Sequence, residues 1–441
     1  MSKANYYIET YGCQMNEHDS EKMADMLEKM GMTAVGSANG ADVVVINTCS
    51  IREKAEHKVY SALGKLKGLK KKNPSMITVV AGCVAQQEKT RLLKRVPHLD
   101  LVVGTHSVAQ LPALIRRIRD NGRRFEATDF TADVESLHMP APCKGHSTVC
   151  SFVTIMQGCS NFCSYCVVPY TRGPEQSRPV DEVIQEVSLM VDRGVQEITL
   201  LGQNVNAYGN DLANGESFSG LLRELDTIAG LQRIRFTTSH PRDFCDELAD
   251  AMAKIESVCE HIHLPLQSGS DRILQVMGRG YTFSAYMSKI TSLRNAIPNV
   301  AITTDMIVGF PGESDDNFRE TLSALREIRY DQIFSFKFSP RPGTAAENIR
   351  DQIPEDNKAA RLSQVHALQD EITGQYHKAA EGTEEEVLVE GIRERTGQPF
   401  GRTRTNKIVN LEADDSSSPG DLVTVRIVKG MKHSLMGKRI C

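Results

Sequence analysis

The chain has 441 residues, of which 40% are hydrophobic and 24% charged, and its formal net charge at pH 7 is −4. That length suits about two to four domains with ordinary soluble cores, and the charge excludes a global field attracting nucleic acid, so RNA contact requires local basic patches. No apolar run reaches membrane-spanning length, and the start, MSKANYYIETYGC, has no apolar core of signal-peptide length. The location expected is therefore the cytoplasm, with no membrane and a monomer as the default state. In a reducing compartment eleven cysteines, an odd number, point to ligands rather than disulfides.

Residues 4–125 read as alternating strands and helices. NYYIETYG, ADVVVINT, MITVVAG and LDLVVG are apolar runs of strand length, and SEKMADMLEKMG and REKAEHKVYSALGKLKGLKKK carry helical patterns. The alternation predicts an α/β domain, a parallel sheet with helices on both faces. Cys13, Cys49 and Cys83 each fall just past a different strand, in YGCQMN, NTCSIRE and AGCVAQ. Loops at the carboxyl ends of parallel strands gather at one edge, so these cysteines should converge. One such cysteine would be a small buried hydrophobe; three in equivalent positions point to a cluster site with three evident protein ligands.

Residues 126–148 lose periodicity and read as a linker, with Cys143 and the adjoining Cys150 as ordinary thiols. Residues 149–377 then offer six strand–helix units: SFVTIMQG, QEITLLGQN, RIRFTTSH, HIHLPLQSG, AITTDMIVGF and DQIFSFKFSP alternate with helical patterns. They predict a partial, TIM-like (β/α)6 barrel whose chemistry sits at the C-terminal strand ends. The first strand runs into CSNFCSYC, placing Cys159, Cys163 and Cys166 on one loop. Cubane iron–sulfur clusters usually take four cysteines, so three leave an iron open to another ligand. A structural zinc knuckle and three unrelated thiols remain open, although zinc sites usually add a second cysteine pair or histidines. Gln203 and Asn204, at the next strand end, are candidate contacts to a polar cofactor, and a turn explains them equally well.

Residues 378–441 alternate at strand period with turn signals such as SSSPGD, which predicts a small antiparallel barrel. Arg393, Arg395, Arg402, Arg404 and Lys407 are accompanied by a single acid, Glu394, while Arg426, Lys429, Lys432, Lys438 and Arg439 run without an acid among them. Arg402, Arg404, Lys407, Lys429 and Lys432 are the candidate phosphate contacts. A solvated β face is the bland alternative.

Taken together, YGCQMN, NTCSIREKA, CSNFCSYCVVPYTRGPEQSR, LPLQSGS and GFPGE resemble the methylthiotransferase branch of the radical S-adenosylmethionine enzymes. The resemblance covers essentially the whole chain and implies a methylthiotransferase domain, a radical domain and a C-terminal barrel of the TRAM type. QMN after Cys13 and SIREKA after Cys49 are similar to members acting on N6-dimethylallyladenosine beside the tRNA anticodon. The resemblance implies that Cys159, Cys163 and Cys166 hold a 4Fe–4S cluster that binds and reductively cleaves S-adenosylmethionine. It implies that Cys13, Cys49 and Cys83 hold an auxiliary 4Fe–4S cluster carrying the sulfur inserted at C2 of the adenine, and that a second S-adenosylmethionine supplies the methyl group. No catalytic side chain beyond the cluster ligands is implied. An electron donor such as flavodoxin or ferredoxin is expected, and the TRAM barrel is expected to bind the tRNA.

Overall fold

The computed structural model describes residues 4–50, 53–131, 134–139, 149–413 and 415–440. Cys143 lies outside them. The N-terminal sheet has six strands, all parallel, in the spatial order Thr33–Ala34, Asn5–Tyr11, Val43–Thr48, Ile77–Gly82, Leu101–Val103, Phe125–Ala127. Four of them are the apolar runs read from the sequence. The two outer ones are too short to show a period, and the last extends past residue 126, where the loss of periodicity suggests a linker. Val43, Val45, Ile77 and Val79 pack on one face and Val44, Ile46 and Val80 on the other, each under its own helices. A strand buried on both faces reads as an uninterrupted Val/Ile run because both faces need apolar cover.

The central domain contains the six expected strands. Cys150–Thr154, Glu197–Leu201 and Arg233–Phe236 form one parallel run, and His261–His263, Ala301–Val308 and Gln332–Lys337 form another. A parallel bridge between Ile234 and Val258 joins them into an open barrel. Alternation separates the two faces. Val153, Ile198, Leu200, Ile234, Phe236, Ile262, Met306 and Val308 belong to the core under the helices, while Glu197, Arg233, Arg235, His263 and Asp305 take the opposite, inner face.

The helix Glu355–Ala379 leads to a closed barrel of Glu384–Ile392, Pro399–Thr403, Ile408–Leu411, Leu422–Gly430 and Leu435–Arg439. Four neighbour pairs are antiparallel, but Ile408–Leu411 runs parallel to Leu435–Arg439. The small antiparallel barrel expected from the sequence is present, with one parallel pair for a simple reason: five strands cannot all alternate in direction around a closed ring.

The turn after Pro399–Thr403 plugs the N-terminal end of the open barrel. Arg235 donates to the carbonyls of Arg404 and Thr403 at 2.9 and 2.8 Å and to Glu197 at 2.9 Å. Arg233 donates to the Arg402 carbonyl at 2.7 Å and to the Glu386 carboxylate at 2.9 Å. Both guanidinium groups are buried, so removing any one partner leaves a charge without water. Arg235→Met should lower the stability of the docked barrel by about 3 kcal/mol, because Glu197 is left short of its closest cation. Urea unfolding measures this, and an unchanged midpoint would show that the plug contributes nothing.

Two candidate cysteine centres joined by a short helix

The strands that deliver the N-terminal cysteines end in register, with Tyr11 beside Thr48 and Thr48 beside Gly82. Neighbouring strands lie about 4.8 Å apart, so the residues just beyond these positions enter one small area. Close backbone approach tightens it further: a Cβ on Gly12 would stand 2.6 Å from the Cβ of Cys49. At Gly82 the backbone has φ +89° and a Cβ would stand 2.4 Å from Asn47 Oδ1, so glycine is required there. Asn47 is buried, donating to Asn16 O at 2.8 Å and Ser20 Oγ at 2.9 Å, which ties the strand end to the helix that Cys13 caps.

Cys13 caps the helix Gln14–Lys29, and Cys83 opens Cys83–Glu88. Free N–H groups at helix starts favour thiolates. A hydrogen bond from Cys49 pushes the Cys13 thiol down to about 6, against burial and with help from the Arg172 cation. Burial pushes Cys83 up, with Arg172 opposing it. Cys49 and Cys83 both lie near enough to Cys13 to interact with it, and Arg172 stands beside Cys13 and Cys83. All three are free of disulfides. The hydroxyls of Thr48 and Ser50, on either side of Cys49, are buried without a hydrogen-bond partner among the described residues. Unused donors around three thiols fit an anionic, sulfur-rich group.

The second centre is built on the loop after the first barrel strand. Gly158 has φ +86°, and a Cβ there would stand 1.8 Å from the Pro174 carbonyl. Its N–H donates to Gln203 Oε1 at 2.5 Å, and the Cys159 N–H donates to Gly173 O at 3.1 Å. Phe162, between the first two cysteines, holds a φ of +47°, a conformation uncommon for an aromatic residue and typical of functional loops. Asn161 donates to Cys159 Sγ at 3.3 Å and the buried Arg279 to Cys163 Sγ at 3.4 Å; His240 Nε2 lies 4.0 Å from the same sulfur. Burial, with the charge of Cys163 adding to it, pushes Cys166 up to about 12. Three thiolates here are unfavourable without added positive charge, which a metal centre provides.

Around this loop, at the strand ends, Gln157 Nε2, Asn204 Oδ1, Ser239 Oγ and Gln267 Oε1 are buried without partners among the described residues. Thr238 and Gln267 also hold positive φ values, +66° and +74°. Unpaired polar atoms and strained backbone on one rim fit a polar cofactor beside the triad.

The short helix Val168–Arg172 connects the two centres. Cys166 precedes it and Arg172 ends it, a rise of about 9 Å over six residues. Arg172 reaches the N-terminal site, donating to Asp19 Oδ2 at 2.7 Å and to Gln157 Oε1 at 3.1 Å. The same segment is tied to the N-terminal domain through its backbone: Thr105 Oγ1 donates to Thr171 O at 2.5 Å, and His106 Nε2 lies 3.0 Å from Arg172 O.

Of the other residues singled out in the sequence, Gln203 accepts the Gly158 N–H and so shapes the triad loop. Asn204 is buried and donates to Asp243 at 2.7 Å, leaving its oxygen unpaired. Arg402 pairs with Glu390 at 3.0 Å and Lys432 with Asp370 at 3.0 Å, while Lys429 is exposed on its strand. Arg404 and Lys407, the other two candidate phosphate contacts, are engaged within the protein. Arg404 donates to Glu260 at 2.8 Å and to the carbonyls of Glu256 and Val258, and Lys407 pairs with Asp331 at 3.0 Å. Both are interdomain anchors, engaged because the barrel docks on this turn. Sequence reasoning misses Arg172, Asp19, Gln157 and Arg279; the only signal is TRGPEQSR following the triad, whose arginine has no visible partner in one dimension.

Gly158→Ala should cost the triad its iron, because the Cβ collides with backbone rather than a movable side chain. Iron bound on anaerobic reconstitution should fall to about half, whereas Gly374→Ala, in open space on the helix Glu355–Ala379, should leave it unchanged. Full iron in the Gly158 variant would contradict the geometry described.

Three family descriptions match the chain: Uncharacterized protein family UPF0004 over residues 5–104, the Radical SAM superfamily over 153–325 and the TRAM domain over 378–440. Among solved structures, the radical S-adenosylmethionine methyltransferase TsrM from Kitasatospora setae, with cobalamin and a 4Fe–4S cluster bound, shares the fold. It has a TM-score of 0.58 and 14% identity, covering 79% of this chain and 74% of that one. The cobalamin-dependent S-adenosylmethionine radical enzyme OxsB gives a TM-score of 0.53 at 11% identity, over 83% of this chain and 56% of that one. The curated relatives are much nearer. A tRNA-2-methylthio-N(6)-dimethylallyladenosine synthase from Syntrophus aciditrophicus is 47% identical over 100% of this chain and 95% of that protein. Those from Thermodesulfovibrio yellowstonii and Clostridium botulinum are 49% and 45% identical over 98% and 99% of this chain and 97% of each protein. At this identity over the full length, with both cysteine centres built as described, the chain belongs to the family of tRNA-2-methylthio-N(6)-dimethylallyladenosine synthases.

Proposed function

We propose that this chain is a transferase that inserts sulfur and adds a methyl group at C2 of N6-dimethylallyladenosine at tRNA position 37. The observation that carries this reading is the pair of three-cysteine centres separated by one short helix. One radical centre would suffice to remove hydrogen, and a second is needed where a sulfur must also be delivered. Cys159, Cys163 and Cys166 hold one 4Fe–4S cluster, and Cys13, Cys49 and Cys83 hold the auxiliary one. When bound, the clusters and S-adenosylmethionine supply the radical, the sulfur and the methyl group, chemistry that no side-chain acid or base can perform on an aromatic C–H.

The protein's part is positioning and exclusion of water. Gly158 and Gln203 shape the triad loop, Arg279 and Asn161 donate to its sulfurs, and the unpaired polar atoms of Gln157, Asn204 and Ser239 are available to the polar groups of S-adenosylmethionine. Gln203 acts through the loop rather than on the cofactor.

For the tRNA, the cations to consider are Lys429 and Lys432, exposed on the C-terminal barrel, whereas Arg402 is held by Glu390 beside the central domain. Arg404 and Lys407 instead hold the barrel in place. The reductant is a small electron-transfer protein such as flavodoxin or ferredoxin, and the enzyme works as a cytoplasmic monomer. No helix among the described residues is long and apolar enough to cross a membrane.

Two experiments test this. Cys159→Ala should abolish cleavage of S-adenosylmethionine, while Cys49→Ala should spare cleavage and yield no methylthio nucleoside by mass analysis. A methylthio product from the Cys49 variant would refute the auxiliary role. Replacing Lys429 and Lys432 with glutamine should weaken tRNA binding and flatten the slope of log K against log salt by about 1 for each phosphate no longer neutralised. An unchanged salt slope would remove both residues from the RNA surface.

A further inference from the structure

Arg172 is a buried charge placed across a domain boundary. It belongs to the central domain, yet its guanidinium lies in the N-terminal cysteine site, only 3% exposed. Its bonds run to Asp19 on the helix that Cys13 caps and to Gln157, just before the triad loop. Its charge acts on both Cys13 and Cys83. A buried guanidinium needs compensation by negative charge. Asp19 supplies one carboxylate at 2.7 Å, and Cys13 and Cys83 stand near enough for their charge to act on the same guanidinium.

We infer that Arg172 is a positioning residue that the central domain lends to the auxiliary cluster, setting that cluster's reduction potential through its charge. The inference rests on the reading that Cys13, Cys49 and Cys83 hold a cluster. Charge and hydrogen bonds to sulfur are main determinants of iron–sulfur potentials. A fixed cation beside the cluster favours the reduced form, which carries one more negative charge, and so raises the potential. Asp19 partly cancels that cation and lowers it. Because Arg172 ends the same helix that begins after Cys166, the electrostatics of the auxiliary site depend on the docking of the two domains.

Opposite signs for the two partners separate an electrostatic role from a merely structural one. The test uses the full chain with Cys159, Cys163 and Cys166 replaced by alanine, so that only the auxiliary cluster remains, reconstituted anaerobically. A dye-mediated redox titration followed by EPR reads its midpoint potential. Arg172→Gln should shift the potential downward and Asp19→Asn upward, with Arg172→Lys close to the parent. Loosening of the site alone would move the Gln and Asn variants in the same direction, and that result, or no shift in either, would overturn the inference. If the parent protein binds no cluster at all, the auxiliary-cluster reading itself fails. Should Arg172→Gln not fold, the upward shift of Asp19→Asn and the position of Arg172→Lys still decide the matter.

Discussion

The ion pair between Arg172 and Asp19 is the contact on which the arrangement of the two centres depends. It spans 153 residues of sequence, is buried, and joins the helix capped by Cys13 to the helix that follows Cys166. A buried pair of this kind adds little net stability over apolar packing, and its value lies in specifying one arrangement, since a slipped alternative leaves a charge unsolvated. Thr105 and His106, holding the carbonyls of Thr171 and Arg172, reinforce the same docking. A reaction that needs a radical at one centre and sulfur from another requires both to reach a single carbon atom. Fixing their separation with a single turn of helix is an economical solution.

The other end of the open barrel is fixed by the same kind of interaction. Arg233 and Arg235 aim inward because the alternate positions, Ile234 and Phe236, face the helices. Their guanidinium groups would be unsatisfied in an empty barrel, and carbonyls of the C-terminal domain's turn meet them. The C-terminal barrel is thus held in place by the domain it serves, and its outward faces stay available for a polyanionic partner. A run of basic residues can consequently mix anchors and free cations, as Arg404 and Lys429 show.

Much of this organisation is legible in one dimension. The sequence places Cys13, Cys49 and Cys83 at one edge because parallel strands deliver their carboxyl ends together, a consequence of topology that needs no coordinates. The six barrel strands and the C-terminal barrel are readable from alternation. What escapes the sequence is long-range pairing: nothing near Arg172 identifies Asp19 as its partner, and nothing near Arg404 or Lys407 identifies Glu260 or Asp331. The edge strands Thr33–Ala34 and Phe125–Ala127 escape because two or three residues carry no period. The parallel pair in the C-terminal barrel, by contrast, follows from counting five strands once closure is considered.

The central claim is that two clusters sit at opposite ends of one short helix, close enough to act on one substrate atom. The most direct measurement is EPR of the protein with both clusters reduced, compared with variants holding either alone. The rise of about 9 Å along the chain from Cys166 to Arg172 predicts mutual broadening and fast relaxation that neither single-cluster variant shows. A spectrum equal to the simple sum of the two isolated clusters would contradict the account.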